Sequence, residues 1–207
     1  MAENAANAAN AGTAAKKEKK TLDYRIAFAL MVIMILCSLC IGANKAWKNN
    51  RSGVSAGYAA WRENVQQRVE TAYNLMTVAG RYLSADDLQL TAVKNDLDAM
   101  AASQETDETD TRRAAACEQF IADGNALLKT LAANAAVQSD ARDNMYATLM
   151  LPQALEQCSN NSALTAYNEA ARTYNDGMHS FSGLLARMTG VGYAPIFETT
   201  TVSASAE

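Results

Sequence analysis

The chain has 207 residues, enough for one modest domain with an anchor and tails. It is 7% aromatic, rich in Ala and holds 2 Pro, which favours helices and argues against a sandwich or barrel with its many turns. A formal net charge of −4, with no basic patch beyond one Lys cluster near the N-terminus, argues against a nucleic-acid partner.

Residues 1–25 open with an Ala/Asn-rich stretch too poor in bulky apolar side chains to offset its ordering entropy, so they are expected to be disordered. Lys16, Lys17, Lys19 and Lys20 either touch anionic headgroups or serve only to set topology. From Ile26 to Ala43 there is no charged residue. As a helix this run is roughly 27 Å long, close to the hydrocarbon thickness of a bilayer, and it is expected to be an uncleaved transmembrane anchor. A buried core helix of this length would carry a polar face, and no clean small-x-small cleavage site follows the run. Its partner would be the lipid bilayer. Lys16, Lys17, Lys19, Lys20 and Arg25 outnumber Lys45, Lys48 and Arg51 on the far side, which places the N-terminus in the cytoplasm and the following domain outside it. Trp47 suits the membrane–water boundary.

Residues 55–198 read as an all-α domain, an antiparallel bundle of about four long helices on the single N-terminal transmembrane helix. Tyr58, Trp61, Val65, Ala72, Leu75, Ala79 and Tyr82 step by three and four, with Arg68 in the missing slot. Ser84 is the expected cap of a helix carrying Leu90, Val93, Leu97 and Met100, either a second helix or a bent continuation of the first. The polar run from Ser103 to Thr111 is expected to be a solvated loop; it lacks the Gly turn and apolar frame of a cation site, and no metal is expected. A third helix carries Cys117, Phe120, Ile121, Gly124, Leu127, Leu128 and Leu131. A fourth segment, Met145 to Leu155, is expected to break or kink at Pro152, and Ser159–Ser162 to form a turn or lie near a helix end. Leu164, Tyr167, Ala171, Tyr174, Met178, Phe181, Leu185 and Met188 form an unbroken seam of the coiled-coil or bundle kind, ended by Gly190 and Gly192. Residues 199–207 are expected to be a mobile tail.

Few residues point to chemistry. Cys37-Ser-Leu-Cys40 lies in the apolar run without a second ligand pair, and Cys117 and Cys158 are either two buried thiols or one disulfide. His179 is the only His, with no acid at triad spacing. No catalytic residue, metal or cofactor is expected.

The segment Tyr167-Asn168, Tyr174-Asn175, Phe181, Leu184-Leu185-Ala186, Gly192-Tyr193 and Phe197-Glu198 resembles the C-terminal signature of the LemA family, with its paired Tyr-Asn seven apart, apolar stretch, Gly-aromatic and closing Phe-Glu. Asn64-Val-Gln-Gln67 and Tyr73-Asn-Leu-Met76 are similar to that family's first helix. Ser182 stands where the family has Pro, as does Thr77 or its neighbour in the first-helix motif, and the Lys-rich N-terminal extension is longer. The resemblance implies a long-helix bundle on a single anchor in the cell envelope, a scaffold or interaction role with protein partners, and no catalytic residues to carry over. Some LemA relatives take part in magnetosome membrane formation, an analogy for a membrane-shaping role. A sensory or ligand-binding bundle that works through a separate membrane signalling protein is the alternative. Tyr167, Asn168, Tyr174 and Asn175 are the candidate binding residues, with core packing as the competing role.

Overall fold

A computed structural model describes residues 24–198. Every regular element among them is helical. The expected disordered leader, apart from Tyr24 and Arg25, and the expected mobile tail lie outside the described residues. The chain divides into two compact units, Met1–Leu39 and Cys40–Glu207.

The first unit holds the start of α1 (Tyr24–Ala79). Side chains 26–39 are exposed, among them Ile33, Met34 and Ile35. The helix contains a window of mean hydropathy 2.7, long and apolar enough to cross a membrane by length and composition.

In the second unit the rest of α1 buries Trp61, Val65, Ala72 and Leu75 along the expected stripe. After a turn, α2 (Leu88–Met100) packs along α3 (Asp107–Ala133). The cap of α2 is Asp87, not Ser84: its carboxylate accepts from the amides of Gln89 and Leu90. An ionised acceptor at a helix start also meets the positive end of the dipole. The polar run expected as loop is half helix, because Thr106 caps α3 and residues 107–111 form its first turn.

Short pieces follow: α4 (Ala135–Ser139), α5 (Ala141–Met145), a π-helical turn at Tyr146–Met150, and α6 (Leu151–Cys158). Pro152 coincides with an interruption of regular α-helix, as expected. It sits in the first turn of α6, where a missing N–H costs nothing, and the wider turn precedes it. Ser159–Asn161 turn the chain into α7 (Ser162–Gly177).

The expected seam to Met188 stops at Met178, where a turn separates α7 from α8 (Phe181–Met188). Ser180 caps α8 through the Gly183 amide. Beyond the turn Phe181 and Met188 are 71% and 75% exposed, so they leave the core the heptad count assigned them to. A Cβ at Gly183 would lie 2.5 Å from the Met178 backbone, so only glycine allows this tight reversal. Gly190, with φ +88°, closes α8: the Val191 amide reaches the Ala186 carbonyl and the Gly190 amide reaches Arg187. Gly192 does not share that left-handed role.

Candidate functional site

The polar ends of the four candidate side chains on α7 are occupied by the chain's own C-terminal segment. Asn168 donates from Nδ2 to the Phe197 carbonyl (2.9 Å) and accepts from the Phe197 amide (3.0 Å). One heptad on, Asn175 repeats this with Ala194, at 2.9 and 2.8 Å. The Tyr167 hydroxyl donates to the Pro195 carbonyl at 2.7 Å, and Tyr174 reaches the Gly192 carbonyl at 3.4 Å. A side-chain amide carries a donor and an acceptor, so each Asn pairs with a backbone N–H and C=O as a neighbouring strand would. The Tyr-Asn pairs thus clamp residues 191–198 onto α7.

Under that clamp lies an aromatic cluster. Tyr167 stacks on Phe197 with ring centroids 5.2 Å apart, Trp61 lies 5.0 Å from Phe197, and Tyr58 stands edge-on to Trp61 and Tyr167. Burial pushes the Tyr167 hydroxyl up to about 12, and the Asp107 charge adds to it. Gly57 lets α1 approach: a Cβ there would sit 3.2 Å from the Tyr167 Cα.

A cleft of about 300 Å³ opens beside this cluster, among Arg51, Ser55, Tyr58, Glu105, Asp107 and Asp110. Asp110 is buried, accepts from the Tyr58 hydroxyl at 2.7 Å, pairs with Arg113 and lies 3.8 Å from Arg62. Tyr58 is held above its ordinary value, chiefly by burial. The Ser55 hydroxyl donates to its own helix at the Arg51 carbonyl, 3.1 Å away. The lining carries three carboxylates and one guanidinium, with Arg62 and Arg113 beside Asp110, so the cleft suits a polar or cationic group more than an anion. Among the described residues no group of three His, Cys, Asp or Glu could hold a metal ion.

The buried arginines serve the helices. Arg68, in the slot missing from the apolar stripe, is fully buried. Its Nε and Nη2 donate to the Cys158 carbonyl at 2.8 and 2.6 Å, and Nη2 also reaches the Asn161 side chain at 2.6 Å. It therefore caps the negative end of α6. Arg113 does the same for α2 through the Met100 carbonyl at 3.1 Å. Burial lowers the Arg113 value from its usual height.

The remaining sequence candidates lie elsewhere. Cys117 and Cys158 are free, buried thiols, and Cys158 lies 3.4 Å from the Thr71 hydroxyl. Burial pushes the Cys117 thiol up, away from the reactive thiolate. The His179 ring lies 5.8 Å from Tyr193, whose face also carries Arg187. Trp47 is packed within the chain: it stands edge-on to Tyr174, donates to the Ser182 hydroxyl at 3.3 Å and occupies the space a Gly177 Cβ would need.

Sequence reasoning missed Asp96 and Asp143. Asp143 accepts from Arg81 at 2.8 and 2.9 Å and from the Tyr82 hydroxyl at 2.8 Å, tying α5 to the end of α1. The Arg81 hydrogen bonds hold its carboxyl below the ordinary carboxylate value. Compared with protein-family models, with curated proteins and with solved structures, the chain matches none.

Proposed function

We propose that this chain is a single-pass membrane protein of LemA type, with residues 26–43 crossing the bilayer and residues 55–198 forming an antiparallel helical bundle. The bundle acts as a non-catalytic scaffold or interaction module in the cell envelope, and its partners are proteins. The observation that carries the reading is the exposed, charge-free run at the start of α1, joined to a domain with its own aromatic core. Leaving such a run in water would expose a large apolar surface, which a bilayer removes. The Tyr-Asn clamp adds support, because the two Tyr-Asn pairs of the LemA resemblance meet its Gly192 and Phe197 in a single structural device.

The test is fractionation followed by affinity capture. The full chain is expected to stay with membranes through alkaline carbonate washing and, in mild detergent, to copurify discrete protein partners in fixed ratio. Release by carbonate would overturn the anchor, and turnover of envelope substrates by the purified chain would overturn the scaffold role. The cleft beside Tyr58 favours one second reading, a ligand-binding bundle that signals through a separate membrane protein.

A further inference from the structure

α8 carries an apolar face that the domain leaves bare. Phe181, Leu184 and Met188 are 71%, 49% and 75% exposed. At 100° per residue they fall within one narrow arc, while the buried Gly183 and Ala186 lie on the opposite side. Ser182 and the exposed Arg187 flank the arc, giving the short helix an apolar stripe with polar margins.

Its place in the chain is equally specific. The Asn44 side chain donates to the Thr189 hydroxyl at 2.7 Å and to the Thr189 carbonyl at 3.2 Å. Trp47 holds the other end of α8 through Ser182. Asn44 is the first residue after the charge-free run, so covalent continuity puts α8 within about a helix diameter of wherever that run ends. Lys45, Lys48 and Arg51 are exposed on the same stretch of α1.

We propose that α8 is a membrane-surface helix, with Phe181, Leu184 and Met188 inserted among the headgroups and upper acyl chains of the leaflet that residues 26–43 enter. The inference rests on the anchor reading above. Two features favour lipid as the occupant: the pinning of α8 to the boundary residue Asn44, and the flanking cations Lys45, Lys48 and Arg187, which match anionic headgroups. The bonds from Asn44 and Trp47 then brace the domain against the bilayer.

The test uses the full chain with Cys37→Ala and Cys40→Ala, reconstituted into phosphatidylcholine–phosphatidylglycerol vesicles. A bimane label is placed at Leu184→Cys, with Leu88→Cys as the aqueous control and Met34→Cys as the bilayer control. Brominated lipid is expected to remove about half of the emission at position 184, because such faces sink roughly 5–10 Å into the boundary. Emission at position 88 should not change. Quenching at position 34 without quenching at 184 overturns the surface helix and leaves the anchor standing. Absence of quenching at 34 overturns both. Loss of iodide access at 184 without lipid quenching, rising with protein concentration, assigns the face to a second copy and also overturns the proposal. If helicity shows that Leu184→Cys is misfolded, Met188→Cys reads the same face.

Discussion

Asp96 is a carboxyl with too few partners. It is buried on α2, faces Asp123 of α3, and its Oδ2 has no hydrogen-bond partner. Gln119 donates to both oxygens of Asp123, at 3.3 Å each, which holds that neighbour as the acceptor. Burial, then the Asp123 charge, lifts Asp96 to about 7. The folded state therefore holds a proton that the unfolded chain releases near pH 4. Stability is full below that value, falls as pH rises toward 7, and then levels off. Asn at this position keeps the shape and supplies a permanent donor to Asp123. Asp96→Asn should flatten the melting-temperature profile and stabilise the protein by on the order of 2 kcal/mol at about pH 8, with little change at about pH 4. Thermal melts of both proteins across that range check it; parallel profiles would show that Asp96 does not carry the dependence. This site was illegible in the sequence because an Asp in Asn95-Asp-Leu-Asp98 looks like any solvated helix acid. Arg68 was half legible. Its place in an apolar stripe marked it as unusual, but its target, the end of α6, lies 90 positions away in sequence.

At the scale of elements, the clamp works because two repeats agree in length. Seven residues of helix rise about 10.5 Å, and three residues of extended chain span about 10 Å. Asn168 and Asn175 thus meet Phe197 and Ala194 in register, running antiparallel to α7. Each Asn makes two neutral hydrogen bonds, together worth about 2 kcal/mol. Asn175→Ala should accordingly speed hydrogen exchange at the Ala194 amide roughly 30-fold, and Asn168→Ala should do the same at Phe197. Unchanged exchange at these amides in either variant would mean that aromatic packing alone holds the segment. The sequence showed the seven-residue spacing but not its purpose, since residues 191–198 have no helical or strand periodicity to announce a docked segment. The same spacing overran at the other end, carrying the seam through Phe181. Three-four periodicity persists on α8, yet its apolar phase now faces outward, and the turn at 178–180 that reorients it has no Pro to mark it.

At the scale of the whole molecule, the proposed anchor leads to a prediction of the side on which the domain lies. The native cysteines are poor reporters. Cys117 and Cys158 are buried thiols, so an impermeant reagent would miss them on either side, and being unbonded they carry no trace of an oxidising compartment. Leu88 is the better site. It is 86% exposed at the start of α2, and its side chain makes no contribution to the core. The excess of Lys and Arg before residue 26 over those just after residue 43 favours an N-terminus retained in the cytoplasm. A full chain with Leu88→Cys should therefore react with a membrane-impermeant maleimide in intact cells, while the parent chain remains unlabelled until it is denatured. Labelling of Leu88→Cys only after lysis would reverse the orientation and move the partners of the domain to the cytoplasm. The charge difference between the flanks is small, because Lys45, Lys48 and Arg51 oppose it. Removing those three charges should strengthen labelling in intact cells if the outward orientation holds, since the opposing signal for retention is then gone.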